Sequence, residues 1–217
     1  MSREPVEPAA PLPADRFAQI LRRKAPDFGI TAAPGALDFR ALSVFLAELD
    51  RWRRKTNLTG ALSADELADH TLEALVGSEL IANGERVIDI GSGAGFPGLP
   101  LAIGRPDLVM TLLEPRGKRA AFLRHVVRTL ELKNTSALEA RIEEVGGQTF
   151  AIATTRAVGG FSGWIGRAPF LDPRGLLLAW TTDAEGVARE LPGFVLERSI
   201  PVPGSSRRRI AAFRKRS

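Results

Sequence analysis

Apolar residues fall at helical spacing through the first third of this chain and in short unbroken runs through the rest. Leu37, Ala41, Val44, Phe45, Leu46, Leu49 and Trp52 line one side of a helix predicted from Leu37 to about Lys55. Ser63-Ala64-Asp65-Glu66 reads as a second helix start, with a serine that can cap and a glutamate that can reach back to it. Leu67, His70, Thr71, Leu72, Leu75 and Leu80 carry that helix towards Asn83-Gly84, a C-cap signal. Residues 14–25 predict a shorter helix, and Pro34-Gly35 a break. Beyond residue 84 the period changes. Apolar runs at 87–91, 109–113, 136–140, 150–154 and 175–180 predict strands, and 97–104 and 117–131 predict helices between the first of them. Residues 194–200 and 207–213 read as a hairpin joined across 201–205. This alternation predicts an α/β fold: a mainly parallel, doubly wound, Rossmann-like sheet with helices on both faces and a C-terminal antiparallel hairpin. The expected organisation is a loose arm at 1–13, a helical extension at 14–84 and the sheet domain at 85–217.

The first strand carries the most specific chemistry. Val87-Ile88-Asp89-Ile90 is followed by Gly91, Gly93 and Gly95, and Pro97 suits the first turn of the next helix. Alternate glycines let the backbone turn sharply and approach a ligand closely. The second strand ends in Glu114, about 20 residues on, where a carboxylate can accept hydrogen bonds from ribose hydroxyls. A dinucleotide fingerprint would need a third glycine where Phe96 stands, which counts against NAD and FAD. The pattern Asp89, Gly91, Gly93, Gly95 with a later acid suits a nucleoside without a pyrophosphate, such as S-adenosylmethionine. A purely structural turn is the competing reading.

Composition changes this picture in two places. The formal net charge is +5, and arginines cluster at 51–55 around Trp52, at 116–128 and at 207–216. Such clusters attract phosphate backbones, although solvated surface would look the same in sequence. With no cysteine among 217 residues, disulfides and cysteine-bearing zinc sites are excluded, and no metal-ligand spacing is evident. No run of about 20 apolar residues is present to span a membrane. The acid- and proline-bearing first residues do not read as a signal peptide, so a cytoplasmic protein is expected.

Taken in order, RWRRKTNLTG at 51–60, HTLEAL at 70–75, DIGSGAGFPGLPLAI at 89–103, LLEPRGKRAAFLR at 112–124, ARIEE at 140–144 and TTRAVGGF at 154–161 resemble the bacterial small-subunit (16S) ribosomal RNA guanine-N7 methyltransferases. The glycine motif fits any class I methyltransferase; GFPGLPLAI with GKRAAFLR and the upstream NLT are far more specific. The resemblance implies a class I Rossmann-like methyltransferase that takes S-adenosylmethionine and modifies small-subunit ribosomal RNA, working as a monomer without membrane or metal. It implies Gly91, Phe96 and Glu114 at the cofactor, Ile142 and Glu143 beside the adenine, and Arg156 as the catalytic residue at the mouth shared by cofactor and substrate. Asn57 and His70 match positions near the pocket, and Arg207, Arg208 and Arg209 are candidate RNA contacts.

Each residue has a plainer reading as well. Arg156 could form a structural ion pair, Phe96 could pack under a helix, Ile142 could be core and Glu143 could be the solvated partner of Arg141. Asn57 could end a helix. His70 could be a packed helix residue, and His125 reads as solvated surface. Trp52, Trp164 and Trp180 read as core. The chain also departs from the family pattern: Trp180-Thr181 stand where a lysine-glycine pair is usual, Thr56 precedes the NLT motif, and Val158 replaces an aromatic residue. Two rival readings follow, a methyltransferase for a small molecule or protein, and a non-catalytic RNA-binding protein that kept the fold.

Overall fold

Capping chemistry starts the N-terminal helices. In the computed structural model, which describes residues 10–31, 37–60, 62–156 and 169–216, α1 spans Ala14–Lys24, α2 Phe39–Arg53 and α3 Ala64–Gly77. The Asp38 carboxylate accepts the Ala41 N–H (2.9 Å) at the head of α2. At α3 the predicted capping box is present: Ser63 Oγ accepts the Glu66 N–H (3.2 Å) and Glu66 Oε2 accepts the Ser63 N–H (2.7 Å). The far end of α3 is a correction. The helix stops at Gly77 and tightens into a 3-10 turn over Ser78–Leu80, where the Ser78 hydroxyl donates to the Leu75 carbonyl (2.6 Å). Gly84, expected as the cap, instead adopts a left-handed φ of 74° and donates its N–H to Asp107 (3.0 Å). Residues 1–9 of the expected arm, the Pro34-Gly35 break, Val158 and Trp164 lie outside the described residues.

The strands are β1 (Arg86–Ile90), β2 (Val109–Leu113), β3 (Thr135–Leu138), β4 (Phe150–Arg156), β5 (Leu171–Thr181), β6 (Phe194–Pro201) and β7 (Arg209–Lys215). They form one sheet in the order β3-β2-β1-β4-β5-β7-β6. β1 to β5 run parallel; β7 lies antiparallel to β5, and β6 antiparallel to β7. The predicted hairpin is therefore present, with its second strand inserted next to β5. β4 and β5 are longer than predicted, so Arg156 is the last residue of a strand. α4 (Gly98–Gly104) and α5 (Gly117–Thr129) follow β1 and β2, and α6 (Ala184–Glu190) follows β5. α6 was not anticipated, although Asp183 caps it by accepting the Gly186 N–H (2.7 Å).

Side chains alternate across the sheet and build two cores. Val87, Met110, Leu112, Ile152, Leu178 and Ile210 pack with α1 to α5 in one continuous cluster. Ile88, Ile90, Leu113, Leu177 and Phe213 pack on the opposite face with Ala184, Val187 and Leu191 of the α6 region. The helical N-terminal part thus shares a core with the sheet.

Trp180 fastens α3 to β5. Its ring is buried, as expected of core, and its indole N–H donates to the Glu73 carbonyl (3.1 Å). A β-carbon at Gly77 would collide with the six-membered ring of Trp180. Gly77→Ala would gain about 1 kcal/mol of helix propensity but would overpack this contact at a cost of about 1–3 kcal/mol. Net destabilisation should result, with thermal melting lowered by a few degrees; an unchanged or raised melting temperature would show that α3 can shift away from β5.

Candidate functional site

The glycine turn is held from β2. The Leu113 carbonyl accepts the N–H groups of Gly91 (2.9 Å) and Ser92 (3.0 Å), and Glu114 Oε2 accepts that of Gly93 (3.0 Å). Gly91 and Gly93 have φ of 70° and 54°, which only glycine adopts without strain. Glu114 is buried, and its other oxygen accepts the Arg116 N–H (2.9 Å). A cleft of about 560 Å³ opens here at the carboxyl ends of the strands. Its walls bring together six of the predicted residues: Gly91, Gly93, Phe96, Glu114, His70 and Arg156. Leu58, Thr59, Leu62 and Arg119 also line it.

The other predicted residues stand elsewhere. Asp89 has no exposure to solvent; it lies beneath the turn, where it accepts hydrogen bonds from the Thr154 hydroxyl (2.8 Å) and the Gly98 N–H (3.2 Å). Burial pushes its carboxyl up to about 6, although these bonds pull the other way. Gly95 faces Leu99 of α4. Asn57 offers its backbone carbonyl to Arg119 (3.3 Å). Ile142 and Glu143 lie on a 3-10 turn after β3, Ile142 partly packed on the second core and Glu143 exposed, and neither lines this cleft.

Arg156 forms the structural ion pair and also borders the cleft. Its Nη2 donates to Glu73 Oε2 (3.1 Å). Arg208, just before β7, binds the other oxygen of Glu73. Glu73 was missed in the sequence. The signal available was an acid set among Leu72, Ala74 and Leu75 within a helix, where no surface position was due. Burial pushes its carboxyl up from the ordinary range, and the two guanidiniums draw it back. Among the described residues, Nη1 of Arg156 is the buried side-chain nitrogen or oxygen with no hydrogen-bond partner.

Several basic residues of the three clusters are paired within the chain. Arg53 and Arg54 both bind the buried Asp50, Arg51 pairs with Glu48, Arg124 with Glu139 and Arg214 with Glu197. Arg209 donates to the Ser199 hydroxyl (2.7 Å), whereas Arg207 is exposed. His125 is likewise not free surface: it hydrogen-bonds Glu48 (2.8 Å) and lies 5.3 Å from the partly buried ring of Trp52. Among the described residues no group of three His, Asp or Glu side chains could hold a metal ion, and no helix is long and apolar enough to cross a membrane.

The family model for rRNA small subunit methyltransferase G matches residues 38–185. The chain belongs to this family. It is 34% identical over 188 residues to the ribosomal RNA small subunit methyltransferase G of Syntrophotalea carbinolica, covering 79% of this chain and 87% of that protein. It is 39% identical over 130 residues to the enzyme of the same name from Desulfotalea psychrophila, covering 57% of this chain and 60% of that one. The chain therefore spans under two thirds of the length of some curated relatives it matches. A solved structure of a SAM-dependent methyltransferase from Aquifex aeolicus superposes with a TM-score of 0.53 at 16% identity, over 67% of this chain and 90% of the other. The sheet is thus of the class I Rossmann-like methyltransferase type, as the sequence predicted.

His70 faces the cleft with its ring 5.8 Å from Phe96. Burial, and then the charges of Arg156 and Arg208, push its imidazole down from 6.5 to about 3. The folded state keeps it neutral while the unfolded chain takes a proton below 6.5. Stability should therefore fall as pH drops through the range from 6.5 towards 3, by at most about 1.4 kcal/mol per pH unit from this group. Denaturant titrations at several pH values should show a flatter acid limb for His70→Gln than for the parent; matching limbs would mean that the ring protonates in the folded protein.

Proposed function

We propose that this chain transfers a methyl group from S-adenosylmethionine to N7 of a guanine in small-subunit ribosomal RNA. The observation that carries the reading is the cleft itself, in which a left-handed glycine turn, a strand-end carboxylate and a strand-end arginine share one wall. Membership of the methyltransferase family supports the reading independently.

The residues fit the cofactor. The turn from Gly91 to Gly93 presents backbone with no side chain in the way, and Glu114 stands at the end of β2 to accept ribose hydroxyls. Leu138 accepts the Glu114 N–H (3.1 Å), so the ends of β2 and β3 are neighbours. An adenine beside a ribose at Glu114 would extend towards the turn that carries Ile142 and Glu143. Phe96 and Leu58 give the cleft apolar surface that excludes water. When bound, S-adenosylmethionine supplies an electrophilic methyl group.

The chain's own part in the chemistry is positioning. Guanine N7 bears a lone pair at neutral pH, so no general base is required, and neutral His70 need not accept a proton. What the site must provide is alignment and dryness. Arg156 is suited to alignment: Glu73 holds its Nη2, its Nη1 has no partner, and a guanidinium can donate to guanine O6. We assign it the catalytic orienting role, with His70 and Asn57 bordering the base. In this reading residues 85–217 are the methyltransferase unit and 14–84 a helical extension, and the protein acts as a cytoplasmic monomer without a metal ion.

Titration calorimetry tests the cofactor half. S-adenosylmethionine and its demethylated product should bind, and NAD should not, because Phe96 occupies the place of the third dinucleotide glycine. Glu114→Ala should weaken cofactor binding by about 1.5–3 kcal/mol, roughly tenfold to a hundredfold. Because Glu114 also holds the Gly93 N–H, melting must be followed alongside; unchanged affinity in a folded variant would remove the carboxylate from the ribose.

The substrate half is read by methyl transfer to small-subunit ribosomal RNA from cells lacking the gene. Parent protein should label a guanine at N7, and Arg156→Lys, which keeps the charge but loses the planar fork, should lower the rate tenfold or more while still binding cofactor. A variant with full turnover would leave Arg156 a purely structural partner of Glu73.

A further inference from the structure

Beside the glycine-turn cleft lies a second, of about 250 Å³, whose walls include Glu73, Arg156, Trp180, Thr182, Arg208 and Arg209. Arg156 borders both clefts and so separates them. The charge in the second cleft is unbalanced. Among the described residues three guanidiniums face one carboxylate, and Glu73 already engages two of them. The third, on Arg209, is bonded to the neutral hydroxyl and carbonyl of Ser199. Asp69, a further acid that acts on Glu73, is paired with Lys24 (2.9 Å). A cavity with excess fixed positive charge is built for an anion.

We propose that this second cleft is a phosphate subsite that binds a phosphodiester of the RNA strand carrying the target base. The proposal rests on the ribosomal RNA reading above. Its volume suits a phosphate with part of a ribose, whereas the larger cleft across Arg156 has room for the reacting partners. A base and its own phosphate are adjoining parts of one nucleotide, and Arg156 stands between the two spaces that would receive them. Glu73 and Ser199 take only part of the Arg208 and Arg209 guanidiniums, which leaves N–H groups for phosphate oxygens, and both residues stand where the terminal hairpin enters β7. Glu73 limits the excess charge and fixes Arg208 in place. The competing anion is the cofactor's own carboxylate, which would reach Arg156 from the first cleft.

The test uses the full chain with Arg208→Lys and Arg209→Gln. Arg208→Lys keeps a cation against Glu73, and Arg209→Gln leaves Glu73 untouched, so each guards against misfolding in the other. S-adenosylmethionine affinity is measured by calorimetry, and small-subunit ribosomal RNA affinity over a series of salt concentrations. Both variants should bind cofactor within twofold of the parent and RNA about five- to tenfold more weakly. Arg209→Gln should also flatten the slope of log affinity against log salt by about 0.7–0.9, the loss of one phosphate contact. Parent-like RNA affinity and slope in both folded variants would overturn the subsite and leave the methyltransferase reading standing. Weakened cofactor binding with parent-like RNA binding would assign the anion to the cofactor and also overturn it. A parent protein that binds cofactor but no ribosomal RNA would overturn the ribosomal RNA reading, and the subsite with it.

Discussion

The carboxyl end of this sheet depends on how a buried acid is satisfied. Asp89 is wholly removed from water, yet it sits in the middle of an apolar strand. Left without partners such a group would cost several kcal/mol. Thr154 of β4 and the Gly98 N–H of α4 supply hydrogen bonds to its two oxygens. A β-carbon at Gly98 would collide with the same carboxylate, so α4 begins close against β1 only because a glycine is there. The first strand, its neighbour and the following helix are thereby fixed to one another directly below the cleft. Asp89 accordingly shapes the site without lining it.

A second buried acid performs the same kind of work across the chain's two halves. Glu73 belongs to α3, while its partners Arg156 and Arg208 lie 83 and 135 residues further on. Its own backbone carbonyl receives the Trp180 indole. One helical turn of the N-terminal part therefore contacts the ends of β4 and β5 and the beginning of β7. The residue pair Trp180-Thr181, unusual for the family, is explained in part by this contact, since the indole fills the space left by Gly77 and uses its N–H on α3. A pairing of this kind is costly to desolvate and is weak evidence for stability by itself. Its value here is geometric, because it sets where two guanidiniums stand at the boundary of two clefts.

Much of this was legible in the chain. The glycine turn, the acid after β2, the Ser63 capping box and the terminal hairpin rest on local chemistry, which sequence displays directly. The ends of elements were less legible. α3 ends in a 3-10 turn whose Ser78 hydroxyl bonds the Leu75 carbonyl, and the start of β5 at Leu171 depends on pairing with Phe150. Glu73 was missed for the same reason: a buried acid is recognised by its partners, and both of them come from distant strands. Asp89 was read as a ligand group because an acid that ligates from such a motif and one that braces its turn look the same in sequence.

Charge shows the limit most clearly. The sequence presents three basic clusters, and each could be counted as affinity for phosphate. In the fold, Arg53 and Arg54 neutralise Asp50, whose second oxygen also receives the Leu12 N–H (2.9 Å) and so ties the start of α1 to α2. Arg124 and Arg214 spend their charge on Glu139 and Glu197. Exposed pairs of that sort contribute little to stability, but they lower the local field that an approaching strand would meet. Arg116, Lys118, Arg128 and Arg207 are exposed, and Arg208 and Arg209 line a cleft. Net charge therefore overstates the binding surface, and the positions that matter are those where cations outnumber the acids facing them. By that criterion the boundary around Arg156 ranks above the cluster at Trp52.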